Sequence, residues 1–519
     1  MNITLRYSLL SYKTQRYLFI FLLVLTPSCS IEPPYTSSTI HPTTITKETT
    51  SPVEVSTSLI PSSTPTSLPS ITPLPALSPE GPYLAFVTNR NGPLILMDID
   101  GGGREMINLP TGAKIFNVKA SISPSGEWIA LYTGNLDPPY DLTLILLNLT
   151  DGSLQHVASL LADGYPDNLI PIAEQIAESH PNPAVRAVEH WISPVRLSFE
   201  DGIHTLDWSP DGLLLAFSAQ IDGPSSDLYV YDINEKTILR ITDDMQNIRN
   251  IEWTPDGDMI LYQNYIVEQV YSLSSLHVAK PDGSQVWDLD PADTLWYGIK
   301  GWAGPYQLIV GHYGGDAHPP IALYYLDIRT NQIIPLWSDI YYDFAIDPDN
   351  QVLAVSGVLN SFDKSKGDLQ HGIFLVYPNQ EIVMVSQTEE PIWLTYLDNP
   401  TSRFIGCSSD GAFLLKKDGS TDFLTNKVCS RLYTSPDNKW IVVIHENEPA
   451  LLFTNGGEFT GELQAYNVIW RPDSLGLFAD SVDNLIHISV PDGQASIVYT
   501  CITEEFPCYF IHHNYSWIP

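Results

Sequence analysis

Short apolar runs alternate with polar turns along most of the chain, and this pattern predicts β-strands rather than helices. The clearest copy is Trp208-Ser209-Pro210-Asp211-Gly212, which the apolar runs 214–217 and 228–231 follow. Weaker copies recur at intervals of roughly 35–50 residues, the spacing typical of propeller blades built from four strands each. The copies centre on nine prolines: Pro79, Pro124, Pro210, Pro255, Pro305, Pro348, Pro400, Pro436 and Pro472.

The residues around each proline have physical roles in a blade. Proline ends the first strand because it lacks a backbone N–H, and the Asp-Gly after it suits a tight turn. Two residues before the proline stands a large apolar side chain, which can fill the gap between blades. Asp207 and Glu252 stand three residues before their turn prolines. Because side chains alternate between the two faces of a strand, theirs point to the face opposite the large apolar side chain. These carboxylates either face the central channel or cap a turn in solvent.

These units predict an all-β fold for 76–519, a single β-propeller of about eight, or nine, four-stranded blades. Nine units align on the prolines, and because both 74–78 and 515–519 match the start of the first blade, one segment is potentially extra. We favour eight blades because nine-bladed propellers are uncommon. We expect the C-terminal segment to close the ring by lending a strand to the first blade, since closure removes the exposed sheet edges.

One interval does not fit the repeat, because Pro124 and Pro210 are about twice as far apart as usual. Within it, 165–191 has helical features: Ile172 and Ile176 are one helical turn apart, and a proline stands near the start. We therefore predict a small helical insertion within 160–200. It either contributes to a ligand or partner site or covers an apolar patch of the propeller.

Two segments of different composition precede the repeat. In 1–28, basic residues stand ahead of the apolar run 17–25, which is the layout of an export signal. Cys29 follows Ser28 directly, so this segment resembles a bacterial lipoprotein signal with Cys29 as the lipidated first residue. An ordinary secretion signal and an uncleaved anchor are the alternatives. Residues 29–75 are rich in Ser, Thr and Pro and predict a disordered tether.

The phrase at 208–212, with the runs 214–217 and 228–232, is similar to the TolB-like, WD-repeat-like propeller repeat of bacterial envelope proteins. The similarity spans about 76–519 and is strongest over 204–242 and 249–262. Together with the lipoprotein signal, it implies an exported propeller anchored to the outer face of a bacterial membrane. The same repeat occurs in propellers of prolyl-oligopeptidase-type hydrolases and of polysaccharide lyases, so it implies the fold and not one activity.

The formal net charge of −35 narrows the set of partners. An acidic surface repels nucleic-acid phosphates and anionic lipid headgroups, so we expect no nucleic-acid partner and membrane contact only through the lipid anchor. We expect a monomer.

Four cysteines remain if Cys29 is lipidated, and an even number in an exported chain permits disulfides. We favour the pairs Cys407–Cys429 and Cys501–Cys508 because both are local in sequence. Four buried free thiols are the alternative.

Few residues suggest catalysis. A prolyl-oligopeptidase-type hydrolase needs Gly-x-Ser-x-Gly, and the nearest segment, 406–410, ends in Asp, which excludes that class. His312, Asp316 and His318 share one loop and are weak candidates for binding a divalent metal, since their spacing matches no dedicated motif. We expect no cofactor.

Two function classes remain. The favoured one is a non-catalytic binding or scaffolding module for a protein, peptide or glycan. The alternative is a carbohydrate-active lyase or hydrolase that uses histidines and carboxylates around the channel. Convergence of Asp207, Glu252 and the loop 312–318 at one channel mouth would favour the enzyme, and scattered positions would favour binding.

Overall fold

The apolar runs form the strands of nine small antiparallel sheets in a computed structural model of the chain. The structure describes residues 81–518 with gaps. The gaps are 88–92, 102–103, 116–117, 135–140, 166, 180–204, 224, 244–246, 268–271, 290–296, 314–319, 348–350, 361–367, 389, 398–401, 417–418, 446–447, 482–483 and 501–514. The predicted signal and tether lie outside the described residues.

Each sheet is one blade of a propeller, and consecutive strands pair with each other from the channel to the rim. The strands of blades 1 to 3 are β1 (Tyr83–Val87), β2 (Leu94–Asp98), β3 (Arg104–Ile107), β4 (Trp128–Thr133), β5 (Thr143–Asn148), β6 (Leu154–Ser159), β7 (Leu206–Trp208), β8 (Leu214–Ala219), β9 (Asp227–Asp232) and β10 (Thr237–Arg240). Those of blades 4 to 6 are β11 (Asn247–Trp253), β12 (Ile260–Val267), β13 (Ser272–Ala279), β14 (Val286–Asp288), β15 (Tyr297–Gly304), β16 (Gln307–Tyr313), β17 (Pro320–Asp327), β18 (Gln332–Trp337), β19 (Tyr341–Asp347), β20 (Val352–Leu359), β21 (Gln370–Val376) and β22 (Ile382–Gln387). Those of blades 7 to 9 are β23 (Trp393–Tyr396), β24 (Ser402–Ser408), β25 (Gly411–Lys416), β26 (Thr421–Thr425), β27 (Cys429–Thr434), β28 (Trp440–His445), β29 (Glu448–Thr454), β30 (Phe459–Leu463), β31 (Val468–Trp470), β32 (Gly476–Ser481), β33 (Asn484–Ser489) and β34 (Ala495–Thr500).

The last strand, β35 (Tyr515–Ile518), closes the ring. It pairs antiparallel with β1, and the register joins Tyr83 to Ile518 and Phe86 to Tyr515. Blade 1 therefore has the order β3-β2-β1-β35, with the C-terminal strand at the channel. Because this strand completes the blade that begins after Pro79, the proline units give nine blades. The predicted all-β propeller is confirmed, and the preference for eight blades is wrong.

In the part of the chain that the structure describes, two short helices interrupt the strands. α1 (Val118–Ser121) leads into blade 2, where an isolated bridge between Ile122 and Ile129 stands in place of an inner strand beside β4, β5 and β6. α2 (Ile170–Ser179) lies within the predicted helical insertion. Residues 184–191, the second half of that prediction, lie outside the described residues. No helix in the described part of the chain is long and apolar enough to cross a membrane.

The core lies between the blades. Nine apolar clusters of described residues each join two neighbouring blades. One of them packs Ile469 and Phe478 of blade 9 against Leu84 and Phe86 of blade 1, so the first and last blades are in contact. Burial of these faces is the main stabilising term for such a ring, because an isolated small sheet buries little apolar surface.

Tryptophans two residues before the turn proline fill the gaps between blades, as the sequence predicts. Trp208 and Trp253 are both buried. The Trp208 indole donates a hydrogen bond to the Ser121 carbonyl across the gap at 3.1 Å, and Trp253 donates to the Asp207 carbonyl at 3.1 Å. Each indole thus links the inner strand of its own blade to the preceding blade.

A disulfide also joins two neighbouring blades. Cys407 on β24 of blade 7 is bonded to Cys429 on β27 of blade 8, with an S–S distance of 1.98 Å. This is one of the two pairs that the sequence favours. Cys501 and Cys508 lie outside the described residues.

Candidate functional site

Bulges in the inner strands of blades 4, 5 and 6 shape the channel. The strand register shifts between Arg249 and Glu252 in β11, between Ile299 and Gly301 in β15, and between Tyr341 and Asp343 in β19. A bulge inserts an extra residue and re-aims its side chain, and bulges are frequent beside binding and active sites. The inserted residues, which are 250–251, 300 and 342, all line cavities on the channel side.

The first cavity has a volume of about 550 Å³ and spans blades 2 to 5. Its lining combines charged, amide and apolar groups. The lining residues are Lys119, Ala120, Asp207, Asn250, Ile251, Glu252, Gln263, Gly298 and Ile299. Asn250 has a positive φ of 51° within the bulge, and its side-chain amide donates to Gln263. The bulge therefore places an amide pair in the cavity wall.

Asp207 and Glu252, the carboxylates predicted to face either the channel or solvent, lie together in this cavity. Asp207 accepts a hydrogen bond from the backbone N–H of Trp253 at 2.8 Å, and Glu252 accepts one from the Trp302 indole at 2.7 Å. Burial raises the pKa of Asp207 to about 7, and the negative charge of Glu252 adds to the effect. Both carboxylates therefore bind the next blade while they line the cavity.

The second cavity has a volume of about 520 Å³ and spans blades 5 to 7. Its wall is rich in aromatic rings and also carries one lysine and one aspartate. The lining residues are Lys300, Gly301, Trp302, Ile309, Pro320, Tyr341, Tyr342, Asp343, Phe344, Ala345, Ile346, Leu394, Thr395 and Tyr396. Aromatic faces with a few polar groups are typical of sites that bind sugars or peptide side chains.

Asp343 in the second cavity repeats the role of Asp207. Its carboxylate accepts the backbone N–H of Leu394, in the next blade, at 2.7 Å. Burial raises its pKa, and the positive charge of Lys300 acts in the opposite direction. A half-buried aspartate on an inner strand is thus a recurring link between neighbouring blades in this ring.

The proposed metal ligands do not join these carboxylates. His312 lies on β16, the second strand of blade 5, and lines neither cavity. Burial lowers its pKa. Asp316 and His318 lie outside the described residues. Among the residues that the structure describes, no group of three or more His, Cys, Asp or Glu side chains could hold a metal ion.

The sequence indicated only two residues of these cavities, Asp207 and Glu252. Lys300, Tyr342 and Asp343 were missed because a bulge depends on how two strands pair, which the residues of one strand do not reveal. The one available signal is Gly301, which follows Lys300 and has a φ of 145°. A glycine inside a strand often marks a bulge.

Comparisons with known proteins do not assign the chain to a family. No protein-family model and no curated protein matches the sequence. Among solved structures, a crystal structure of the eukaryotic initiation factor aligns with a TM-score of 0.46 and 12% identity, over 78% of this chain and 89% of that one. Dipeptidyl peptidase 4 of Porphyromonas gingivalis aligns with a TM-score of 0.42 and 11% identity, over 75% and 60%. An oligogalacturonate lyase in complex with manganese aligns with a TM-score of 0.30 and 14% identity, over 56% and 86%. These values are too low to indicate an activity.

Proposed function

We propose that this protein is a TolB-like propeller lipoprotein, tethered to the outer face of a bacterial membrane, that binds a peptide, protein or glycan in its channel. The observation that carries the binding role is the set of bulges in three consecutive inner strands. They turn Lys300, Tyr342 and the segment 250–251 into two cavities of about 550 and 520 Å³. Inner strand β27 of blade 8 also has a register shift, between Cys429 and Arg431, but no residue of it lines either cavity. A ligand is therefore inferred from the three bulges whose inserted residues line a cavity.

The second cavity is the stronger part of this site. Tyr342, Phe344 and Tyr396 are partly exposed and can stack on a sugar ring or an apolar side chain. Lys300 adds a hydrogen-bond donor and Asp343 a carboxyl group, which suits a ligand with both hydrogen-bond donors and acceptors. The N-terminal lipoprotein-type signal and the Ser/Thr/Pro tether support display of this cavity outside the cell.

Binding to glycan and peptide arrays tests this role, with the full-length protein in detergent. We expect retention of one ligand class, and at least a tenfold loss of affinity in Tyr342→Ala and Tyr396→Ala, equivalent to about 1.4 kcal/mol each. Phe423→Ala is the matched control, because Phe423 is an aromatic residue on outer strand β26 and is 58% exposed. No retained ligand, or an equal loss in the control, would contradict the proposal.

A carbohydrate-active lyase or hydrolase is the second candidate. It is favoured by one observation, the meeting of Asp207 and Glu252 in the wall of one cavity, because a pair of carboxyl groups is what glycoside cleavage uses. Burial of Asp207 raises its pKa to about 7, as a general acid in such a pair requires. Release of reducing ends or unsaturated products from a panel of polysaccharides, lost in Asp207→Asn, would support this candidate over binding alone.

A further inference from the structure

The outer half of blade 4 contains a serine, a histidine and an aspartate in one hydrogen-bonded line. Ser275 and His277 are two residues apart on β13, so both side chains project from the same face, and Asp288 lies opposite His277 on β14. Ser275 Oγ is 2.6 Å from His277 Nε2, and His277 Nδ1 is 2.8 Å from Asp288 Oδ1. None of the three lines either channel cavity.

The two hydrogen bonds orient the imidazole. An ionised carboxylate only accepts hydrogen bonds, so Asp288 requires a proton on His277 Nδ1. In the neutral tautomer with that proton, Nε2 carries the lone pair and accepts a hydrogen bond from the hydroxyl of Ser275. The His277 ring is held in place because it stacks on Tyr262, with the ring centroids 5.2 Å apart. A hydroxyl next to an oriented base is the arrangement that activates a serine nucleophile.

A further polar side chain lies beside the serine. Asn264 on β12 is directly opposite Ser275 in the strand register, so it projects from the same face. It is 1% exposed, and its side-chain oxygen has no hydrogen-bond partner among the described residues. The amide NH₂ of such a side chain can donate to the oxygen of a carbonyl group held at Ser275 and stabilise the negative charge that develops there.

The corresponding positions of blade 3 differ in chemistry. There Asp227 and Arg240 form an ion pair of 2.7 Å, and the Asp227 side chain is 1% exposed. That pair links β10 to β9, and neither of its side chains is a nucleophile. In blade 4 the serine is partly exposed and the Asp288 side chain is 74% exposed, so the group opens to solvent.

We propose that Ser275 is a nucleophile towards carboxylic esters, with His277 as general base and Asp288 as its orienting group. Ser275 Oγ bonds to the carbonyl carbon and its proton passes to His277 Nε2. The bond to the ester oxygen then breaks, and His277 returns the proton to the leaving alcohol. Water attacks the acyl-serine in the same way and releases the carboxylic acid and free Ser275. This activity is separate from binding in the channel.

A fluorophosphonate probe tests the proposal, because an activated serine displaces its fluoride and keeps the phosphonyl group. The full-length protein in detergent is treated with the probe and analysed by peptide mass spectrometry. We expect stoichiometric modification of Ser275, none in Ser275→Ala, a loss of rate of about 100-fold or more in His277→Gln and of at least about tenfold in Asp288→Asn. Ser489→Ala removes a partly exposed serine bonded to Asp492 and should leave the rate unchanged.

The proposal is overturned if Ser275 of the wild-type protein is not modified, or if His277→Gln reacts at the wild-type rate. That result is expected if the three hydrogen-bonded side chains only hold β14 against β13 and are not reactive. Because His277 is buried, circular dichroism checks the fold of its variant. If His277→Gln does not fold, the test rests on Asp288→Asn, which changes an exposed side chain. Modification of Ser275 at the wild-type rate in Asp288→Asn would then overturn the proposal.

Discussion

At the residue scale, half-buried aspartates link one blade to the next. Asp207 accepts the N–H of Trp253, and Asp343 accepts the N–H of Leu394, in each case from the inner strand of the following blade. Burial raises the pKa of both groups, so the ionised form is disfavoured in the folded protein. The interfaces that carry these residues should therefore weaken as the pH rises.

The pH dependence of Asp207 can be measured by its replacement with Asn. The pKa is about 7 in the folded protein, above the ordinary value of 3.8, so the stabilising contribution is full below pH 3.8 and is lost as the pH rises through 7. Asn cannot ionise. Between pH 4 and pH 8 we expect the unfolding free energy of the wild type to fall by about 2–4 kcal/mol relative to Asp207→Asn in urea titrations. Asp282→Asn, at an exposed turn where hydrogen bonds lower the pKa, is the control and should not show this loss. Parallel curves for wild type and Asp207→Asn would refute the assignment.

At the element scale, the sequence predicted what depends on local chemistry and missed what depends on pairing. The turns at Pro210 and Pro255 and the gap-filling Trp208 and Trp253 could be predicted because their roles follow from neighbouring residues. The bulges could not, since a register shift involves two strands. The pairing of His277 with Asp288 was also missed, because the two residues are eleven positions apart and meet only across the β13–β14 hairpin.

The closing strand offers a test at this scale. The Trp517 indole on β35 donates to the Trp470 carbonyl of blade 9 at 3.1 Å, and its ring packs against Phe478 at 5.9 Å. We expect Trp517→Ala to lower the unfolding free energy by about 2–4 kcal/mol, because it removes both contacts where the ring closes. Trp393→Ala is the matched control: it is also on an inner strand but 51% exposed, and should cost about 0.5 kcal/mol or less. Equal costs in chemical denaturation would show that β35 adds nothing to closure.

At the scale of the whole molecule, the nine proline units correspond to the nine blades. The preference for eight relied on the rarity of nine-bladed propellers and on an ambiguity at the termini. Both 74–78 and 515–519 match the start of a first blade, and only the pairing of β35 with β1 shows that the C-terminal segment fills that place. The site was less predictable, because cavities belong to several blades at once. The disulfide between Cys407 and Cys429 is consistent with export, since such bonds persist in oxidising compartments.

The membrane anchor is the remaining prediction at this scale, and it rests on Cys29 directly after the apolar run 17–25. If the chain is a lipoprotein, the membrane-extracted protein should begin at Cys29 and be heavier than the bare chain by a diacylglyceryl group. Cys29→Ser should lose that mass, because serine has no thiol to carry the diacylglyceryl group. Cys407→Ala, which removes a cysteine of the propeller, should remain lipidated. An unlipidated chain cleaved at another position would lack the lipid anchor, and the channel would then belong to a freely secreted protein.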